Sequence, residues 1–166
     1  NNVTQFKIGD EVLGITGFNF SCHAEYIAVN EDSNIIKKPF NASFNEAAAI
    51  AFGGQTAYYF LEKSGIKKID NAEILIYGAS GSVGSSAVQI AKFYNAKVTA
   101  IASKKNESFL RELNIDEFIN YESDQFKKLE KKYDIILDAV GKISKNKLKN
   151  NLKKDGKFLT VGGLDY

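Results

Sequence analysis

The chain has 166 residues, 44% apolar and 25% charged, the composition of one ordinary globular domain or of one domain with part of another. The 22 Lys and Arg against 20 Asp and Glu leave a net charge of +2, which gives no electrostatic basis for nucleic-acid binding, and no apolar run reaches the roughly 20 residues that cross a bilayer. Cys22 is the single cysteine, so an intrachain disulfide is excluded, and with no signal-like opening segment the expected location is cytoplasmic.

Residues 6 to 38 carry short strand-like runs at Glu11–Ile15, Ala24–Val29 and Asn34–Ile36, separated by turn residues at Gly9-Asp10, Gly17 and Asn30-Glu31-Asp32. A β-rich piece of this size is too short to bury its own core, so it is expected to belong to a larger unit whose other strands lie upstream. The absence of methionine, with Asn1 in first place, agrees with a fragment. Pro39 ends this piece. Ser43-Phe44-Asn45-Glu46 then has the form of a capping box, in which the Ser hydroxyl accepts an amide of the first turn and Glu46 reaches back. The helix it opens runs through Ala47–Ile50, is loosened by Gly53-Gly54 before Ala57–Leu61, and ends at Ser64-Gly65.

After Asn71 the texture alternates. Strands are expected at Glu73–Tyr77, Lys97–Ala102, Phe118-Ile119, Asp134–Val140 and Lys157–Val161. Helices are expected at Val83–Tyr94, Ser108–Leu113, Gln125–Lys132 and Lys145–Leu152. The strands read as continuous apolar runs, the mark of a parallel sheet covered on both faces, and alternation with helices makes βαβ units. The fold class is therefore α/β: a Rossmann-type parallel sheet of about five strands, in a chain divided as 1–40, a connecting helix at 41–70, and 71–166. The Lys runs at 127–132 and 142–154 alternate with apolar residues at helical spacing and read as solvated helix faces.

Chemistry concentrates at Tyr77-Gly78-Ala79-Ser80-Gly81-Ser82-Val83-Gly84. This glycine-rich turn follows an apolar strand and opens a helix rich in small residues, the context of a dinucleotide pyrophosphate turn. Glycine permits a tight turn and close approach of backbone to phosphate, and the free amides from about Ser82 to Gly84 point at the anion. Gly84 and Ala87 would keep the helix close to the sheet. Ala79, preceded by Gly78, stands where the common G-x-G-x-x-G form has its first glycine. The next strand ends in Ser103-Lys104-Lys105-Asn106, without the Asp or Glu that binds ribose hydroxyls in an NAD-preferring domain. A hydroxyl and two ammonium groups suit a 2′-phosphate, hence NADP(H). The alternative is a basic loop with no ligand.

These residues resemble the medium-chain dehydrogenase/reductase superfamily, specifically its zinc-independent quinone oxidoreductase branch. The resemblance rests on Phe6-Lys7-Ile8-Gly9-Asp10-Glu11-Val12, Ala24-Glu25-Tyr26, Asn45-Glu46-Ala47-Ala48-Ala49, Gln55-Thr56-Ala57-Tyr58, Gly78 to Gly84 with Gln89-Ile90-Ala91-Lys92, Ile119-Asn120-Tyr121, Asp138-Ala139-Val140-Gly141, and Gly156-Lys157 through Gly162-Gly163. It implies that residues 1–40 are the end of a GroES-like substrate domain and that 71–166 is an NADP(H)-binding Rossmann domain lacking its last strand. Thr56 would sit near the nicotinamide amide. Ser80, Gly81, Ser82 and Val83 would meet the pyrophosphate turn's ligand, Ser103, Lys105 and Tyr121 would surround the 2′-phosphate, and Val140 and Gly162 would lie along the nicotinamide ribose.

No zinc is expected. Cys22-His23 are adjacent rather than spaced as ligands, and Phe52 stands where zinc-dependent relatives carry a ligating cysteine. The implied activity is NADPH-dependent reduction of a quinone, enone or similar activated carbonyl, on a small-molecule substrate and in a homodimeric full-length form. The alternative is an NADP(H)-binding module, or truncated fragment, without turnover. No residue stands out as an acid–base catalyst.

Overall fold

A computed structural model of the protein describes residues 3–17, 20–143 and 145–162. Gly163 of the last motif lies outside the described residues. The chain divides into two compact units, residues 1–52 and 53–166, with the boundary inside the long helix α1 (Phe44–Ser64).

In the first unit, β1 (Val12–Gly14) and β2 (Ile35–Lys37) pair antiparallel with Leu13 opposite Ile36. Ion pairs flank the ribbon, Lys37 to Asp10 at 2.9 Å and Lys38 to Glu11 at 3.0 Å. The strand expected at Ala24–Val29 does not form; these residues are exposed and outside both sheets. An apolar run becomes a strand only where a neighbour accepts its ladder bonds, and among the described residues none does. Ile8, Phe20, Tyr26, Ile36 and Phe40 are all exposed, and Ala47 is the single buried apolar residue described in this unit. A piece this small buries no core of its own.

The capping box forms. The Ser43 amide donates to Glu46 Oε2 at 2.8 Å and the Glu46 amide donates to Ser43 Oγ at 3.2 Å. These bonds, the Ser43 amide first, hold the Glu46 carboxyl below its ordinary range. Helix α1 then runs unbroken through Gly53-Gly54. The glycines do not loosen it, and the reason for Gly53 lies at the site described below.

The second unit holds β3 (Glu73–Tyr77), β4 (Lys97–Ala102), β5 (Glu117–Asn120), β6 (Tyr133–Asp138) and β7 (Leu152–Thr160) in one parallel sheet of order β5-β4-β3-β6-β7. The chain leaves the centre in one direction through β4 and β5, then returns to the other side of β3 for β6 and β7. This is the doubly wound Rossmann order, and its reversal opens a crevice between the carboxyl ends of β3 and β6.

Alternation along the strands sends side chains to two cores. On one face Ile74, Ile76, Val98 and Ala100 pack with Ala87, Val88 and Ala91 of α2 (Ser82–Phe93). On the other, Leu75, Ile101 and Ile136 meet Phe126 of α4 (Asp124–Lys127) and Leu148 of α5 (Lys145–Leu148). Small side chains on both α2 and β4 bring the helix axis close to the sheet, which fixes where the α2 N-terminus sits.

Four boundaries differ most from expectation; the strand expected at Asp134–Val140 is Tyr133–Asp138, which leaves Val140 in the loop beyond it. The helix expected at Gln125–Lys132 is a single turn, α4. Lys127 and Lys131, and Lys128 and Lys132, would repel at one-turn spacing in a longer helix. Beyond α5 the chain tightens into a 3-10 turn at Lys149–Asn151. Strand β7 starts at Leu152 rather than Lys157, because Leu152 pairs with Tyr133 before a register shift sets Lys157 opposite Ile135. The polar start of β7 is held by charge: Lys153 meets Asp134 at 2.8 Å and Glu73 at 3.0 Å.

Candidate functional site

The expected site residues of the second unit gather at the carboxyl ends of its strands. Beyond β3, Gly78 adopts φ +77°, and the amides of Gly78 and Ala79 both donate to Ile101 O, at 2.9 and 3.1 Å. The turn is thereby pinned to the end of β4. A Cβ on Gly78 would fall 2.2 Å from Val140 Cγ2, so glycine is required both by the left-handed backbone and by the neighbouring side chain.

Helix α2 begins directly after this turn, with Gly81 as N-cap and no side chain capping it. Its first bond back, from the Ser85 amide to Gly81 O at 2.8 Å, leaves the amides of Ser82, Val83 and Gly84 without acceptors inside the helix. Three donors without partners inside the helix thus stand at the positive end of a twelve-residue helix, where backbone amides and helix dipole both favour negative charge. Ser80 is half-buried, Gly81 and Ser82 are exposed, and the Val83 side chain is buried in the core, so Val83 can serve a ligand only through its backbone.

Two close approaches hold this helix start in place. A Cβ on Gly84 would lie 2.2 Å from Gly78 O, so the helix rests on the turn itself, and Ala87 behind it is fully buried. A Cβ on Gly53 of α1 would lie 2.2 Å from Ser82 Oγ and 2.7 Å from Ser82 O. Gly53 of α1 therefore admits the start of α2. Thr56, one helical turn beyond Gly53, is half-buried.

The end of β4 continues the site. Ser103 is half-buried and Tyr121 is 40% exposed at the adjacent end of β5, its amide donating to Ala102 O at 3.2 Å. The two lysines differ. Lys104 is committed to Glu107, which also receives Arg111 at 3.1 Å. Lys105 is exposed and has no acidic partner among the described residues. Hydrogen bonding to Glu122 raises the Tyr121 phenol above its ordinary range.

Two residues not singled out from the sequence organise this region. Asn106 Nδ2 donates to Ser80 Oγ at 2.9 Å and to Ser103 Oγ at 3.0 Å, tying the phosphate turn to the end of β4. Asp138, fully buried at the end of β6, accepts the amides of Val140, Gly141 and Ile143, each at 2.9 Å. That carboxylate shapes the loop that presents Val140, which is 42% exposed beside Gly78; a Cβ on Gly162 would fall 2.8 Å from Val140 O. The turn after β3, the ends of β4 and β5, the loop after β6 and Gly162 thus line one crevice edge. Asp138 carried a signal in its Asp-x-x-Gly spacing, a buried acid before a turn. Asn106 carried none, since its partner Ser80 is 26 residues away.

Among the described residues, no three His, Cys, Asp or Glu side chains are grouped to hold a metal ion. Cys22 is exposed, with its sulfur 3.3 Å from Thr16 Oγ1.

Comparison with known proteins follows the same outline. Residues 82–166 match the family described as zinc-binding dehydrogenase. The 2-methylene-furan-3-one reductase of Solanum lycopersicum is 39% identical over 150 residues, covering 85% of this chain and 38% of that protein. The structure of the quinone oxidoreductase from Coxiella burnetii superposes with a TM-score of 0.87 at 34% identity, covering 98% of this chain and 51% of that one. The yhdH oxidoreductase from Salmonella enterica, in complex with NADP, gives a TM-score of 0.63 at 26% identity, over 78% of this chain and 41% of that one. The chain spans about half the length, or less, of the proteins it matches. With the Rossmann order of its sheet, the glycine turn and these likenesses, the chain belongs to the medium-chain dehydrogenase/reductase superfamily, in its quinone oxidoreductase branch.

Proposed function

We propose that the chain supplies the NADPH-binding half of a zinc-independent oxidoreductase that reduces a quinone, enone or similar activated carbonyl. The observation that carries the cofactor choice is the end of β4: Ser103 and the unpaired Lys105 stand where an NAD-preferring domain places an acid. The residues present fit the group. The amides of Ser82, Val83 and Gly84 hold the pyrophosphate, and Ser103, Lys105 and Tyr121 take the 2′-phosphate. Val140 and Gly162 flank the nicotinamide ribose, and Thr56 meets the carboxamide. When bound, the cofactor supplies the hydride; the protein orients it and excludes water. Support for the substrate class comes from the relatives' names, one an enone reductase and one a quinone oxidoreductase. The zinc-free reading is supported by Phe52, which stands where zinc-dependent relatives carry a ligating cysteine.

A second reading, cofactor binding without turnover by this chain alone, is favoured by the exposed apolar side chains of the first unit. One experiment separates the two. Oxidation of NADPH is followed at 1,4-benzoquinone and enone concentrations that saturate the rate, for this chain and for a longer form that includes it. Turnover by the longer form supports the enzyme; binding of NADPH without oxidation by both would refute it.

A further inference from the structure

Asn106 lies where no ligand contact is assigned, yet its amide joins the two halves of the site. Both Nδ2 protons are spent, one on Ser80 Oγ at 2.9 Å and one on Ser103 Oγ at 3.0 Å. A serine hydroxyl has one proton and two lone pairs. Once an amide proton occupies the acceptor side of each hydroxyl, the hydroxyl's own proton is left to donate elsewhere. Neither Ser80 nor Ser103 is seen donating to a protein acceptor among the described residues. Asn106 is half-buried and its element is anchored, since its amide donates to Ser103 O at 3.0 Å.

We propose that Asn106 is a positioning residue that sets Ser80 and Ser103 as outward hydroxyl donors, and so makes the pocket selective for a ligand phosphorylated at two places: a dinucleotide carrying a phosphate on the adenosine ribose as well as its pyrophosphate. The inference rests on the NADPH reading above. It adds that selectivity resides in hydroxyl polarity as well as in the Lys105 charge. Ser80 belongs to the pyrophosphate turn and Ser103 to the end of β4, so one side chain couples the shared part of both cofactors to the part that distinguishes them. Reversing the amide's polarity should therefore do more harm than removing it. An aspartate at position 106 would accept from both hydroxyls, turn their lone pairs toward the phosphates and add a negative charge.

The test titrates NADPH and NADH separately into the parent chain, Asn106→Ala and Asn106→Asp, following reduced-nicotinamide fluorescence, with thermal unfolding of each protein alongside. The parent is expected to prefer NADPH. Asn106→Ala should lower NADH affinity about 10-fold, the scale of the one charge-assisted hydrogen bond set through Ser80, and NADPH affinity about 100-fold, since the bond set through Ser103 is lost as well. Asn106→Asp should abolish the preference. A merely structural role would lower unfolding temperature and weaken both cofactors alike, leaving their ratio unchanged, and that result overturns the inference while sparing the NADPH reading. A parent that binds NADH as well as NADPH, or binds neither, overturns both.

Discussion

Gly84→Ala sets two effects of known sign against each other. The position is helical, so alanine by itself should gain about 1 kcal/mol of helix propensity over glycine. The new Cβ, however, would lie 2.2 Å from Gly78 O and 2.7 Å from Ala79 Cα, where ordinary contact starts at 3.4 Å. The first turn of α2 would have to retreat by roughly 1 Å, because the obstacles are backbone atoms rather than a mobile side chain. That backbone is itself fixed by the Gly78 and Ala79 amides on Ile101 O. Overpacking against an unyielding wall costs about 3 kcal/mol, so the net loss is about 2 kcal/mol, or roughly 30-fold in the folding equilibrium. The same retreat carries the amides of Ser82 and Val83 away from the phosphate position, so NADPH affinity should fall as well. Urea unfolding of Gly84→Ala measures the loss, with Ser86→Ala on the same helix expected within about 0.5 kcal/mol of the parent. A Gly84→Ala protein as stable as the parent, or more stable by the propensity gain, would refute the packing argument.

Asp138→Ala removes the acceptor of three backbone amides at once and should cost about 3 kcal/mol, while Asp138→Asn, which keeps one oxygen for Val140 and Gly141, should cost less; equal unfolding midpoints for parent and alanine variant would contradict this. Acid should destabilise the protein through Asp116 and Asp134. Burial alone raises each carboxyl, but Lys92 and the Val98 amide for Asp116, and Lys153 and the Glu73 amide for Asp134, outweigh it and hold both below the ordinary value of 3.8. A carboxylate depressed in the folded state adds stability above its unfolded value and loses it as pH falls through the folded one, so unfolding midpoints should drop below about pH 4. Asp134→Asn should shrink that drop, and an unchanged acid profile would count against the pairing. Lys105→Ala should weaken NADPH about 10-fold or more in a fluorescence titration and leave NADH within about 3-fold; equal losses would show the pocket assignment to be wrong.

Much of the nucleotide unit was legible because its physics is local. Glu73–Tyr77 and Lys97–Ala102 form strands with the expected bounds, since a covered parallel strand must be apolar throughout and these runs end at turn residues. The capping box at Ser43 was legible for the same reason: its partners are three residues apart. What needed distant partners was not. Ala24–Val29 has strand composition but finds no ladder partner among the described residues. The β7 start at Leu152 is polar on its surface and depends on acids from β3 and β6. Of Gly53-Gly54, which suggested a loosened helix, Gly53 instead marks where Ser82 comes against α1. At the site, the glycine turn and Ser103-Lys105 were singled out by residue type. The difference between Lys104 and Lys105 depended on which ammonium Glu107 takes, and Asn106 on a serine in another loop.

The proposed function requires that the crevice at the carboxyl ends of β3 to β6 bind NADPH in preference to NADH. Dissociation constants for the two reduced cofactors, measured on the same protein by nicotinamide fluorescence, test it most directly. NADPH is expected to bind at least about 10-fold tighter, the scale of one charge-assisted contact to the extra phosphate. Equal affinities, or tighter NADH, would contradict it.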